Sequence, residues 1–109
     1  MLSEQHCAAI DKDTPVLERD KTDELISQLN SDWSVRDGKF LYRAFDFKNF
    51  HETMAFVNAV AWIAHQEDHH PDMEVSYKQC VLNYTSHVAG GLTENDFICA
   101  AHVDRLLAR

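Results

Sequence analysis

The chain has 109 residues, enough for one domain with a single modest core and too few for two. Its formal charge of −8, with 10 Lys and Arg against 18 Asp and Glu, argues against a nucleic-acid partner; the longest apolar stretch, Met54 to Ala64, is interrupted by Asn58 and is too short for a membrane span. The N-terminus has neither a basic start nor an apolar signal core, and Cys7, Cys80 and Cys99 are odd in number without CxxC spacing, so reduced thiols and a cytoplasmic location are expected.

Residues 1–21 are polar, include Pro15 and show no sustained period; they read as an arm, loose or docked late, ahead of a domain spanning 22–109. A short helix follows, with Thr22 as N-cap and Leu25, Ile26 and Leu29 on its buried side. Asn30-Ser31-Asp32 breaks that pattern. Trp33–Arg36 and Lys39–Phe47 predict two strands joined by a hairpin turn at Asp37-Gly38, with Phe45 and Phe47 on one face. Over residues 49–66, Phe50, Met54, Val57, Ala61 and Ala64 form a helical stripe that Phe56, Val60 and Ile63 widen. Pro71 disfavours helical geometry at His70, so this helix should end within residues 65–68 and leave a histidine pair at its exit.

Residues 78–87 alternate, with Cys80, Leu82 and Tyr84 on one face and Val81, Asn83, Thr85 and His87 on the other. Val75 and Tyr77 have the opposite parity, which implies a turn near Tyr77-Lys78-Gln79 between two strands. Gly90-Gly91 reads as a connector, and Thr93-Glu94-Asn95-Asp96 as a capping-box start for a last helix to about Leu107. The order α-β-β-α-β-β-α predicts an α+β domain, a four-stranded antiparallel sheet with three helices packed on one face.

The chemistry concentrates in Asp68-His69-His70-Pro71 and His87. An imidazole donates at one nitrogen and accepts at the other, and its pKa of about 6.5 lets it exchange a proton near neutrality. Two or three such rings in one pocket suit a reaction that removes one proton and delivers another. His65 precedes His69 by four residues, the spacing of helical metal pairs, so a metal-binding hydrolase on His65, His69, His70 and His87 is a rival reading. It is the weaker one, because His-Gln-Glu-Asp-His departs from HExxH. Glu67 and Asp68 read as solvated helix-end charges or as acceptors that orient an imidazole. Asp96 reads first as the closing residue of a capping box. Cys80 and Cys99 read as core, and His51 and His102 as surface residues.

These residues resemble the pterin-4a-carbinolamine dehydratases. The likeness is carried by His69-His70-Pro71, Tyr77, His87 and Asp96, together with Thr85-Ser86-His87, Gly91-Leu92-Thr93 and Phe45-x-Phe47, and covers residues 22–107. It implies a lyase that expels the 4a-hydroxyl of a tetrahydropterin as water, recycling the pterin used by aromatic amino acid hydroxylases. The pterin is then the substrate, and no metal or other cofactor is expected. By the same resemblance His69 and His87 transfer protons, His70 holds the substrate, Asp68, Thr85, Ser86 and Val88 help form the pterin wall, and Asp96 supports the site, with His65 a supporting ring in place of the family's carboxylate. It also implies a homodimer or homotetramer, and admits two alternatives, a pterin-related paralogue or a transcriptional coactivator. The chain departs from the family pattern at His65, where many members carry Glu, and at Met73, where many carry Trp.

Overall fold

The computed structural model describes residues 1–108. After a 3₁₀ turn at Leu2–Glu4 come α1 (Arg19–Ile26), β1 (Ser34–Arg36), β2 (Phe40–Asp46), α2 (Phe50–Glu67), β3 (Asp72–Val75), β4 (Gln79–Tyr84) and α3 (Glu94–Leu107). The expected order and class are therefore observed.

Asp37 and Gly38 sit at φ 54° and 65°. Successive left-handed residues match the twist of a tight hairpin, and the Lys39 N–H closes the turn on the Arg36 carbonyl at 3.0 Å. The strands run in the order β1-β2-β4-β3. Every neighbouring pair is antiparallel, with Leu41 opposite Tyr84, Phe45 opposite Cys80, and Met73 opposite Leu82. Alternation turns Leu41, Phe45, Cys80, Leu82 and Tyr84 inward, where they join Phe56, Val60 and Ile63 of α2 and Phe97, Ile98 and Val103 of α3 in one core. Phe45 and Phe56 meet with ring centroids 4.6 Å apart.

Three expected details differ. Thr22 lies inside α1, which starts at Arg19, and its hydroxyl donates back to the Arg19 carbonyl at 3.0 Å instead of capping. On α2 the buried stripe is Thr53, Phe56, Val60 and Ile63, while Phe50 and Ala61 are exposed. Thr53 is the member that apolar periodicity could not supply; its hydroxyl has the Asn49 and Tyr77 carbonyls at 3.0 Å, so a polar residue takes a fully buried position. β4 stops at Tyr84, so Thr85 and His87 belong to a loop and not to a strand face.

The N-terminal residues pack along α3 and the end of α2. Leu2 is buried, the Ala8 N–H donates to Asn95 Oδ1 at 3.0 Å, and the Asn95 amide returns a bond to the Ala8 carbonyl at 2.8 Å. Among the described residues no helix is long and apolar enough to cross a membrane.

Candidate active site

Two loops at one end of the sheet carry the candidate residues. The first begins where α2 stops: Asp68 takes the left-handed conformation (φ 52°, ψ 42°), and the N–H groups of Asp68 and His69 both reach the Ala64 carbonyl. That closure ends the helix and turns the chain back, so His69 points inward before buried Pro71 leads into β3. The second loop follows β4. Ser86 and Gly91 form an isolated bridge that closes a tight loop, with Gly90 at φ 84°, and His87 and Val88 lie exposed within it.

His69 is the anchored member. Its Nε2 lies 2.6 Å from Asp96 Oδ1, and the two side chains are 10% and 0% exposed. A carboxylate only accepts, so Nε2 carries the proton and Nδ1 is the nitrogen free to exchange one. The ring lies parallel to Tyr84, at 9° with centroids 6.2 Å apart. Asp96 is itself fixed, because its other oxygen accepts from the Ser86 hydroxyl at 2.8 Å and from the Thr93 N–H at 3.0 Å. The latter bond belongs to the capping box expected at the start of α3. Thr93 Oγ1 lies 2.8 Å from Ser86 Oγ, which links these groups into one buried network. An imidazole held this way has one orientation and one tautomer. Burial pushes the Tyr84 phenol well above its ordinary value, with nearby Cys99 and Asp96 adding to the effect, so the ring beneath His69 stays neutral.

His87 lies on the solvent side, its Nε2 3.4 Å from Asp72 Oδ2, with both side chains more than half exposed. The two loops are thus tied through His69–Asp96–Ser86, and His87 faces Asp72 at the start of β3. His70, also exposed, sits in sequence between His69 and Asp72. The other expected residues divide. Thr85 and Ser86 are buried and spend their hydroxyls internally, Thr85 on the Lys39 carbonyl at 2.7 Å and Ser86 on Asp96. Asp68 and Val88 are exposed beside the histidines. His65 is exposed, its ring 5.4 Å from Trp62, so the carboxylate on His69 comes from Asp96 on α3. Tyr77 lies at the opposite end of β3, stacked on Phe50 with centroids 6.3 Å apart.

Sequence reasoning passed over Asp72 and the Tyr84 ring as parts of this end of the sheet. For Tyr84 the strand parity that turns it inward, beside a loop closing over the sheet end, was the available signal. Asp72 had only its place after Pro71. His102, read as a surface residue, is half-buried against the arm, its Nε2 2.8 Å from the Gln5 carbonyl.

The architecture is an α+β domain with a buried carboxylate-held histidine at one end of an open sheet, flanked by two exposed histidines. Residues 15–106 match the family described as Pterin 4 alpha carbinolamine dehydratase, and the chain belongs to that family. Similar chains, each named "Putative pterin-4-alpha-carbinolamine dehydratase", come from Nitrosomonas eutropha (52% identity over 97% of this chain and 93% of that one) and Legionella pneumophila (50% identity over 97% and 95%). Among solved structures, a transcriptional coactivator/pterin dehydratase from Brucella melitensis superposes with a TM-score of 0.79 at 26% identity, over 85% of this chain and 99% of that one.

Proposed function

We propose that the protein dehydrates a 4a-hydroxytetrahydropterin to the quinonoid dihydropterin by histidine acid–base catalysis. In the reaction a base takes the proton from N5, the C4a–O bond breaks as an acid protonates the departing hydroxyl, and a C4a=N5 double bond forms with release of water. No electrons are exchanged, so the chemistry asks only for two proton-transfer groups on one substrate. The observation that carries this reading is the buried Asp96 holding His69 in one tautomer, with His87 on the neighbouring loop facing Asp72 at the start of β3.

His69, fixed and mostly buried, and His87, open to solvent, are the proton-transfer pair in this reading, and exposed His70 holds the pterin. Asp68 and Val88 contribute to the wall by their exposed positions, whereas Thr85 and Ser86 shape it by fixing the loop from within. The protein acts as a homo-oligomer, for which Trp62, 60% exposed on α2, offers apolar surface. The test follows the absorbance decay of freshly generated 4a-hydroxytetrahydropterin. Wild-type protein speeds it in the presence of EDTA, and His69→Ala lowers the rate constant by roughly 10²-fold or more, the scale of acid–base catalysis. Loss of activity to the chelator with recovery on adding zinc, or a fully active His69→Ala, would overturn the proposal.

A further inference from the structure

A second cluster of ligating side chains lies where the N-terminal arm meets the body of the protein. His6 from the arm, Glu67 from the last position of α2 and His102 from α3 present one imidazole nitrogen each and a carboxylate oxygen, all within 4.8 Å of one another. We propose that His6, Glu67 and His102 bind one divalent transition-metal ion of the zinc type, which clamps the N-terminal arm onto α2 and α3.

The donor set supports this. Two imidazoles and one carboxylate make up a known three-ligand set for zinc, with the fourth position left to water, whereas magnesium and calcium prefer all-oxygen shells. The bonds around the cluster hold the ligands as a metal site requires. Glu67 has a side chain 6% exposed and accepts from the Cys7 N–H through Oε1 at 2.7 Å and from His6 Nδ1 through Oε2 at 2.8 Å, so that a metal ion bound between them displaces the His6 proton to solvent. The Gln5 carbonyl, 2.8 Å from His102 Nε2, can only accept, so that nitrogen carries the proton and Nδ1 keeps the lone pair. A backbone carbonyl on one ring nitrogen is how metal-ligating histidines are commonly oriented. The His6 and His102 rings already face each other, 29° from parallel with centroids 6.0 Å apart.

Metal–ligand bonds of about 2.0–2.2 Å in a tetrahedral shell bring ligand atoms to roughly 3.3 Å from one another. The widest gaps, up to 4.8 Å, must therefore close by up to about 1.5 Å while the His6–Glu67 contact at 2.8 Å opens by about 0.5 Å, and the His6 side chain, 78% exposed, has the rotamer freedom to do so. The thiols of Cys7 and Cys99, 3.5 Å apart, and the histidines of the candidate active site are the competing ligands in this chain.

Untagged full-length protein, stripped with EDTA and dialysed, is titrated with Zn²⁺ by calorimetry and with Co²⁺ by absorption. One equivalent binds at micromolar protein. His6→Ala and His102→Gln each weaken binding by about 100-fold or more, since loss of a ligand exceeds the 10–100-fold effect of losing an outer partner. His70→Ala and His87→Ala leave binding unchanged. The cobalt spectrum has no thiolate charge-transfer band, and zinc slows amide exchange at residues 2–8 in the wild type but not in His6→Ala. Because His6 is exposed, its variant folds and the comparison holds. Absence of binding, binding that survives both His6 and His102 substitutions, binding lost in His70→Ala or His87→Ala, or a thiolate band would each overturn the proposal.

Discussion

Asp96 joins two roles that its sequence context separates. Thr93-x-x-Asp96 is legible as a capping box because the motif is local, and α3 does begin there. The bond to His69 spans 27 residues and has no spacing signature, so only the folded chain reveals it. The consequence is a substitution with a double effect. Three donors converge on the Asp96 carboxylate, from His69, Ser86 and Thr93; an amide offers one acceptor and one donor there, so at least one of them meets an N–H. Asp96→Asn should cost about 1–3 kcal/mol, as for a buried hydrogen-bonding group left unmatched. It should also lower turnover by roughly 10–100-fold through loss of the imidazole's orientation. Urea melts and kcat on the same preparation check both; a variant that loses stability but keeps wild-type kcat would show that Asp96 only caps the helix.

At the scale of elements, the end of α2 and the course of β4 decide where the histidines go. Pro71 made the helix end legible, but the left-handed residue that ends it is Asp68, where glycine is the usual choice. Asp68→Gly should therefore leave stability unchanged or raise it by up to about 1 kcal/mol, and Asp68→Val should lower it by about 1–2 kcal/mol. Thermal melts that rank the two the other way would contradict the strain argument. The sequence named Phe56, Val60 and Ile63 but centred the α2 stripe one position too far along, because a threonine with satisfied hydroxyl bonds, Thr53, is invisible to apolar periodicity. It extended β4 to His87 because alternation continues past the last paired residue, Tyr84. Within β4, burial pushes the Cys80 thiol up to about 11 from 9.0. The fold thus favours the neutral thiol. From about pH 9 the unfolded chain gives up its proton while the native one retains it, so stability falls as pH rises toward 11. Urea midpoints across this range should decline in the wild type and decline less in Cys80→Val; parallel slopes would remove Cys80 as a cause.

For the whole molecule, the α+β class and the order of elements along the chain followed from the hairpin, the long helix and the last elements, all of which rest on local signals, whereas the pairing of β2 with β4 that sets the strand order in the sheet is long-range and had no such signal. What the N-terminal residues do was not legible, since they have no period and their contacts are with Glu67, Asn95 and His102, far along the chain. Leu2 is buried in the core cluster, so Leu2→Ala should cost about 2 kcal/mol, the lower end for a large-to-small core substitution. An unchanged urea midpoint would mean that the arm is not part of the cooperative unit. The central claim is that His69 and His87 act on one substrate in one step, and a double-substitution cycle on the dehydration rate tests it most directly. His69→Ala and His87→Ala should each cost about 10²-fold or more, and the double variant should fall well short of the product of the two losses. A fully active His87→Ala, or losses that multiply, would contradict the account.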